Sequence, residues 1–341
     1  MSAYIIDAVR TPIGKYGGSL SYVRTDDLAA LPVKELVKRN PDFDWSELDD
    51  VIFGDANQAG EDNRNVARMA LLRAGLPVEV PGQTVNRLCG SGMQALLSCF
   101  HAIQAGEGDV FIAGGVESMS RSPFVMLKPE VGYTRGHPKT ADTVLGWRFP
   151  NPAFTPEWTI GLGETAEVIA EEFKVSREAQ DAFAAESQQR AERAMAAGVF
   201  ADELVPVSVP QRKGDPIVFA EDEEYKNVKM EKISSLRPAF DKEGTITAAN
   251  ASTLNDGASA LILASEEAVK RHDLKPIAKI LGLADAAQAP EWFTTSPIDT
   301  IPKSFLFSMI RICLIFFSVI SSINSVTEVF KSHVIRFFDI I

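Results

Sequence analysis

The sequence predicts a layered α/β fold, and three observations support this prediction. Apolar, strand-like runs alternate with helical patterns along the first 120 residues, as in proteins whose sheet is covered by helices. The chain has 341 residues, which exceeds the size that one hydrophobic core usually supports, so we expect at least two domains. Finally, an apparent strand turns abruptly into a helix at Cys89.

The first predicted elements build the sheet and its first helices. Residues 3–8 and 51–53 have the apolar character of buried strands. Thr25 is predicted to cap a helix that runs to about Arg39 and that Pro32 distorts. The remaining predictions of this part are a helix over residues 65–74, a strand over 83–88, a helix from Gly90 or Ser91 to about Gly106, and a strand over 109–113.

The middle of the chain has a different pattern. Prolines and glycines recur over residues 121–156, so little regular structure is expected there. Helical patterns follow over residues 164–173 and 177–197. The second is predicted to be capped by Ser176 and stopped at Gly198.

Further on, residues 245–249 are predicted to be a strand, 250–257 a turn, and 258–264 a strand that returns to the first sheet. The acidic run at residues 221–224 is interpreted as a solvated turn rather than a metal site, because nothing converges on it in sequence. Residues 114–118 are predicted to form a turn. Either this turn is an ordinary tight turn or it faces the same cleft as Cys89.

Charge and cysteine content exclude several classes of protein. Asp and Glu outnumber Lys and Arg by 46 to 34, which gives a net charge of −12 and argues against nucleic-acid binding. Three cysteines cannot form a disulfide framework, and none has metal-ligand spacing to the four histidines, so we expect no metal. The first residues show no signal-peptide pattern, and the expected location is the cytoplasm.

Cys89 is the strongest candidate for a reactive residue. A cysteine at the start of a helix lies near unsatisfied backbone N–H groups and the positive end of the helix dipole, which favour the nucleophilic thiolate. Gly90 and Gly92 carry no Cβ, so a substrate carbonyl could approach backbone N–H groups that would stabilise an oxyanion. The alternative is that Cys89 is a buried apolar residue, the role expected of Cys99 on the same helix.

Four motifs resemble those of the thiolases, the family of acetyl-CoA acetyltransferases and 3-ketoacyl-CoA thiolases. Asn-Arg-Leu-Cys-Gly-Ser-Gly at residues 86–92 is similar to the nucleophile motif of that family. Ala-Val-Arg-Thr-Pro-Ile-Gly at 8–14, Gly-Gly-Val-Glu-Ser-Met-Ser at 114–120 and Thr-Ala-Ala-Asn-Ala-Ser-Thr-Leu-Asn-Asp-Gly-Ala at 247–258 match further segments in the same order. The resemblance extends from about residue 3 to residue 303.

The resemblance implies a thiolase-like layered α/β/α N-terminal half with a loop domain, and a second half that is largely missing. Residues 1–120 and 243–268 correspond to the N-terminal domain. Residues 121–242 correspond to the loop domain that covers the pantetheine arm of CoA. Residues 269–303 correspond to a remnant of the C-terminal domain, and residues 304–341 to a hydrophobic tail unrelated to thiolases.

The resemblance also implies an activity and a site. It implies an acyl-CoA acyltransferase in which Cys89 forms an acyl-enzyme, with Ala248 and Ser252 contacting the CoA arm. Ala249 and Thr253 depart from the family pattern, which commonly has glycine there. No cofactor is implied beyond coenzyme A thioesters as substrates. The implied partners are acyl-CoA and CoA, with a second copy of the chain in a homo-oligomer, either a dimer or a tetramer.

The C-terminal part departs from this resemblance. Thiolases have three motifs there, Asn-Glu-Ala-Phe, Gly-His-Pro and a second cysteine beside glycines, and residues 276–341 contain none of them. No alanine follows Ala289, and seven of the 20 phenylalanines lie in residues 305–341, so the composition changes abruptly. This change favours a frameshift or read-through origin. A catalytically inactive thiolase remnant is therefore the alternative function.

A membrane segment is a further alternative for the tail. Arg311 lies near the middle of the apolar run 305–320, and a central charge opposes insertion by about 2.5–3.5 kcal/mol. The charge-free run 312–327 is shorter than the ~20 residues needed to span hydrocarbon. An aggregation-prone tail is thus favoured over a spanning helix.

Overall fold

A computed structural model describes residues 2–312 of the chain. The helices in this range are α1 (Thr25–Arg39), α2 (Val66–Ala74), α3 (Ser91–Ala105), α4 (Leu162–Glu172), α5 (Arg177–Ala196), α6 (Glu266–Arg271) and α7 (Ser296–Ile312). The strands are β1 (Ala3–Arg10), β2 (Gly14–Lys15), β3 (Asp50–Gly54), β4 (Gly82–Val85), β5 (Val110–Ser118), β6 (Phe124–Met126), β7 (Thr140–Asp142), β8 (Val207–Val209), β9 (Ile217–Phe219), β10 (Asn255–Ser265) and β11 (Ala278–Ile280).

Seven strands form one mixed sheet. The strand order is β11-β1-β10-β5-β3-β4, with β2 beside β10. Strands β3, β4 and β5 run parallel, whereas β10 is antiparallel to both β1 and β5. The connections between the parallel strands contain α2 and α3, because parallel neighbours need a crossover. The prediction of strands alternating with helices is therefore confirmed.

Helices cover both faces of this sheet. On one face, α1 and α2 pack together against a core that includes Val51 and Phe53 of β3 and Ile112 of β5. On the other face, α3 packs against β3 and β5, whose side chains Ile52 and Phe111 point that way because successive strand residues alternate between faces. The result is the layered α/β/α arrangement that the sequence predicts.

The carboxyl ends of the parallel strands lie at one edge of the sheet, called here the carboxyl edge. The strand register places Gly54 beside Val85 and beside Gly115. Because β10 is antiparallel, its first residues also lie there, with Asp256 opposite Ser118. The loops that follow β3 and β4 and the loop that precedes β10 therefore start from the same edge, where open α/β sheets usually bind ligands.

Two predictions near the start of the chain are wrong. Thr25 is the first residue of α1 and provides no side-chain cap, although α1 continues past the buried Pro32 and ends at Arg39 as predicted. Strand β4 ends at Val85, before the predicted residue 88, because residues 86–90 turn toward α3.

The strand predicted over residues 245–249 is a loop. The N–H groups of Thr245 and Ile246 donate to the carboxylate of Glu167 in α4, at 2.8 to 3.0 Å, instead of to a neighbouring strand. The turn predicted over residues 250–257 is shorter than expected, since β10 already begins at Asn255.

Gly114 and Gly115 lie inside β5 rather than in the predicted turn. A Cβ on Gly114 would lie 2.3 Å from the carbonyl oxygen of Ser259, and one on Gly115 would lie 2.8 Å from that of Gly54. Close backbone packing between strands explains these two glycines. The region 121–156 is also more regular than predicted, because β6 and β7 form an antiparallel pair within it.

The chain divides into two compact units. One comprises Met1–Lys279 and Ala289–Thr294, and the other comprises Ile280–Gln288 and the chain from Thr295. Helix α7 belongs to the second unit, so the predicted tail is helical from residue 304 to residue 312. The rest of that tail, including Cys313, lies outside the described residues. The four-part domain division made from the sequence stays a prediction.

None of the helices in residues 2–312 is long and apolar enough to cross a membrane. Most of the charge-free run 312–327 is outside this range.

Candidate active site

Cys89 lies at the corner between β4 and α3, in a segment called here the elbow (residues 86–91). Helix α3 begins at Ser91 with Gly90 as its N-cap, as the sequence predicts. The N–H of Gly90 donates to the carbonyl of Arg87, and the N–H of Ser91 donates to that of Leu88, both at 3.0 Å. Cys89 is exposed, so its thiol is accessible at the positive end of the helix.

Leu88 gives the elbow its sharp bend. Its φ of 49° lies in the left-handed region, which costs roughly 1–2 kcal/mol for a residue with a Cβ. Two side chains hold Leu88 in this conformation. Asn86 accepts a hydrogen bond from the Leu88 N–H at 2.9 Å, and Ser91 Oγ donates to the Leu88 carbonyl at 2.6 Å.

The start of α3 packs directly on the end of β3. A Cβ on Gly54 would lie 2.2 Å from the carbonyl carbon of Ser91 and 2.3 Å from the nitrogen of Gly92. Only glycine permits this approach, because real Cβ contacts are never so short. Gly54 therefore fixes how close the elbow lies to the carboxyl edge.

The two glycines beside Cys89 are not required by packing. A Cβ on Gly90 would meet nothing closer than 3.5 Å, and one on Gly92 nothing closer than 4.0 Å. The space in front of Cys89 is thus open, which agrees with the predicted approach of a substrate. The N–H groups of Gly90 and Ser91 already donate within the elbow, so they are not the predicted oxyanion donors.

Cys99 has the apolar role that the sequence predicts. It is fully buried in α3, and its neighbours Leu96 and Phe100 are each 9% exposed. Burial, with a smaller contribution from the charge of Asp50, raises the pKa of the Cys99 thiol far above its usual value. Cys99 therefore stays a thiol at neutral pH.

The structure places Ala248 and Ser252 on the loop that precedes β10. Both residues are exposed, and the loop is braced by Asn250, whose side chain accepts a hydrogen bond from Thr247 at 2.7 Å. This loop and the elbow leave the same carboxyl edge. Within residues 2–312, no hydrogen bond or ion pair joins Cys89 to Ala248 or Ser252.

The acidic run at residues 221–224 is an anchor and not the predicted solvated turn. Asp222 accepts hydrogen bonds from the buried guanidinium of Arg10 at 2.8 and 3.1 Å, and from the backbone of Ile13 at 2.8 Å. Glu223 accepts from the backbone and hydroxyl of Ser19. The acidic run thereby ties down the loop after β1. No sequence pattern predicts this pairing, because about 200 residues separate the partners.

Three carboxyl groups lie close together, two on the loop that follows β3 and one on β5. Asp55 and Asp62 are buried, and Glu117 is close to both. Burial, followed by the charges of Glu117 and Asp62, raises the pKa of Asp55 to about 8. Burial also raises the pKa of Glu117. No set of three His, Cys, Asp or Glu residues in the described part of the chain could hold a metal ion.

A Gly-His-Pro triplet does occur in the chain, at residues 136–138 in the proline-rich region. The family resemblance predicts this motif beyond residue 276, so the triplet at 136–138 was not among the predicted site residues. His137 is exposed, and none of its described contacts reaches the elbow.

Comparison with protein families identifies the larger part of the chain. The model described as "Thiolase, N-terminal domain" matches residues 3–267. The chain is 55% identical to a beta-ketoadipyl-CoA thiolase of Pseudomonas knackmussii over 301 residues, which are 88% of this chain and 75% of that protein. It is 51% identical to the 3-oxoadipyl-CoA/3-oxo-5,6-dehydrosuberyl-CoA thiolase of Escherichia coli, over 87% of this chain and 74% of that protein.

A solved structure has the same architecture. The acetyl-CoA acetyltransferase of Bacillus anthracis superposes with a TM-score of 0.82 and 39% sequence identity. The superposition covers 89% of this chain and 76% of that one.

Proposed function

The chain belongs to the thiolase family, and from this premise we propose that it transfers acyl groups between CoA thioesters through an acyl-enzyme on Cys89. The observation that carries the proposal is the exposed thiol at the start of α3, on an elbow held in a left-handed turn. A thiolate there is a strong nucleophile with open space in front of it.

The proposed reaction has two half-reactions. The Cys89 sulfur bonds to the C3 carbonyl carbon of a 3-oxoacyl-CoA, and the C2–C3 bond breaks with its electron pair on C2. Protonation of C2 releases acetyl-CoA and leaves an acyl thioester on Cys89. The sulfur of a second CoA then attacks this thioester, and Cys89 leaves as thiolate. The thiol proton of CoA is, in net balance, the proton that C2 gained.

We propose 3-oxoadipyl-CoA as the substrate. Relatives at 51 to 55% identity are named for this compound, and their matches cover 87% or more of this chain. Cleavage of 3-oxoadipyl-CoA would leave a succinyl group on Cys89. Acetoacetyl-CoA, the shorter alternative, would leave an acetyl group.

The CoA arm is proposed to lie along the loop that carries Ala248 and Ser252. Both side chains are exposed at the carboxyl edge, where Cys89 also lies. No further cofactor is needed for this chemistry. Association into a homo-oligomer is proposed from the family and can be measured by sedimentation.

Acyl-enzyme trapping tests the proposal. The chain is mixed with 3-oxoadipyl-CoA or acetoacetyl-CoA, quenched in acid, digested and analysed by mass spectrometry. We expect a succinyl or acetyl adduct on the peptide that contains Cys89, with the succinyl adduct forming faster. Cys99→Ala is the matched control and should retain the adduct. An adduct on another residue, or none in the wild type, would overturn the Cys89 mechanism.

A second candidate is an inactive thiolase remnant. The observation in its favour is that residues 276–341 lack the three motifs that thiolases have in their C-terminal half. General acid–base groups are typically worth about 10²- to 10⁴-fold in rate. Under this second candidate, the 341-residue chain acylates slowly at Cys89 and shows no measurable thiolytic turnover.

Turnover and trapping together distinguish the two candidates. An adduct with steady release of acetyl-CoA at rates normal for a thiolase supports the complete reaction. An adduct without turnover supports the remnant.

A further inference from the structure

Two side chains flank the bend that precedes Cys89, and both contact Leu88. Asn86 accepts from the Leu88 N–H at 2.9 Å and donates to the carbonyl of Ala56 at 2.8 Å. Ser91 Oγ accepts from the N–H of Arg87 at 2.8 Å and donates to the carbonyl of Leu88 at 2.6 Å. The peptide groups on both sides of Leu88 are thus held by side chains.

Leu88 needs this support because its conformation is unfavourable. A branched side chain at φ 49° occupies a region that such residues rarely adopt, and it persists only where surrounding contacts impose it. Relaxation of Leu88 to negative φ would rotate the following peptide. Cys89 would then point away from the first turn of α3.

Residue Ala56, whose carbonyl binds the Asn86 side chain, is itself held by a hydrogen bond to Glu117. The N–H of Ala56 donates to Glu117 at 2.9 Å, and the carbonyl of Ala56 receives the Asn86 amide. A chain of hydrogen bonds therefore runs from the half-buried Glu117 through Ala56 and Asn86 to the elbow. Ser91 is 4% exposed, so water does not compete for its two hydrogen bonds.

We propose that Asn86 and Ser91 are positioning residues: together they hold Leu88 in the left-handed conformation that directs the Cys89 thiol at the start of α3. This proposal rests on the proposed function, in which Cys89 is the nucleophile. The two residues touch neither the acyl group nor CoA in this account. They act only through the backbone of Leu88 and Cys89.

Iodoacetamide alkylation of Cys89 tests the positioning without any acyl-CoA. The rate is measured by peptide mass mapping at pH 7 in the 341-residue chain. Asn86→Ala and Ser91→Ala should each lower this rate by about three- to tenfold, the effect of losing the one hydrogen bond that each side chain makes to Leu88.

Asn65→Asp is the matched control for Asn86→Asp. At position 65 Asp still accepts the hydrogen bond from the Arg68 N–H, and at position 86 it still accepts the one from the Leu88 N–H. Both substitutions remove the side-chain NH₂ group that donates to a backbone carbonyl. Asn65 caps α2 and does not contact the elbow. Asn86→Asp should lower the alkylation rate of Cys89, and Asn65→Asp should leave it unchanged, even at equal loss of thermal stability.

Leu88→Asn provides a rescue, because Asn adopts the left-handed region more readily than Leu. In this background Asn86→Ala should lower the alkylation rate less than it does beside Leu88. An equal effect in both backgrounds, or unchanged alkylation rates in Asn86→Ala and Ser91→Ala, would overturn the proposal. If wild-type Cys89 alkylates but never acquires an acyl group, the proposed function fails while the alkylation data still decide the positioning.

Discussion

Cys89 and Cys99 lie ten positions apart on one segment, yet the structure gives them opposite environments. Cys89 is exposed at the bend before α3, beside a left-handed residue and open space. Cys99 lies in the body of the same helix, fully buried against the sheet. The comparison teaches that the reactivity of a cysteine depends on where its helix begins and which face it occupies, because the residue type is identical.

The largest expected effect comes from removing the reactive member of the pair. Cys89→Ala should abolish the acyl adduct completely, since within residues 2–312 no other thiol lies at the elbow. Cys99→Ala should leave adduct formation within about twofold while lowering the unfolding free energy by roughly 1 kcal/mol through the lost packing. Mass spectrometry of trapped protein and a urea titration measure the two effects. Loss of the adduct in both variants would contradict the prediction that Cys89 is reactive and Cys99 is not.

Selective labelling is the next test. Limiting iodoacetamide should modify Cys89 at least about 10²-fold faster than Cys99 in the native protein. Burial raises the pKa of the Cys99 thiol, so Cys99 forms a reactive thiolate only after local unfolding exposes it. In 6 M urea the two rates should converge. Cys313 is removed by Cys313→Ser in a parallel sample. Preferential labelling of Cys99 in the native state would reverse the comparison.

The buried Asp55, which directly follows β3, should make the stability of the fold depend on pH. Asp55 has a pKa of about 8 in the fold and 3.8 as its ordinary value, so the folded chain binds more protons than the unfolded chain between these values. The unfolding free energy should therefore fall as pH rises from about 4 to about 8. The fall should amount to several kcal/mol, at about 1.4 kcal/mol per pKa unit.

Asp55→Asn should flatten this slope and make the protein more stable than the wild type at pH 8. Glu117 and Asp62 lie near Asp55, Arg148 lies near Glu117, and all three remain in the variant. Urea titrations at pH 5 and pH 8 measure the change. An unchanged slope in Asp55→Asn would show that another group carries the pH dependence.

The smallest expected effect comes from moving the helix start. Gly54→Ala places a Cβ 2.2 Å from the backbone of Ser91, so β3 and α3 must separate. We expect a loss of roughly 1–3 kcal/mol in the unfolding free energy and slower alkylation of Cys89, with Cys99 still protected. Gly132→Ala, where a Cβ meets nothing within 4 Å, is the matched control and should be near neutral. Equal losses in the two variants would contradict the close approach.

The sequence alone determined the layered α/β architecture and the position of Cys89. Apolar periodicity placed α3 correctly, and the glycines at residues 90 and 106 marked its ends, because local backbone preferences act over a few residues. The motif around Cys89 also indicated the family. These are short-range features, so they can be read directly from the order of residues.

Tertiary structure decided what depends on distant partners. The acidic run at 221–224 became an anchor only because Arg10 meets Asp222 across the fold, and residues 245–249 became a loop because Glu167 takes their N–H groups. Gly54 and Gly115 are required only once their strands and α3 lie together. The hydrogen bond from Asn86 to the carbonyl of Ala56 likewise exists only in the folded chain, since partners 30 positions apart leave no periodic trace in the sequence.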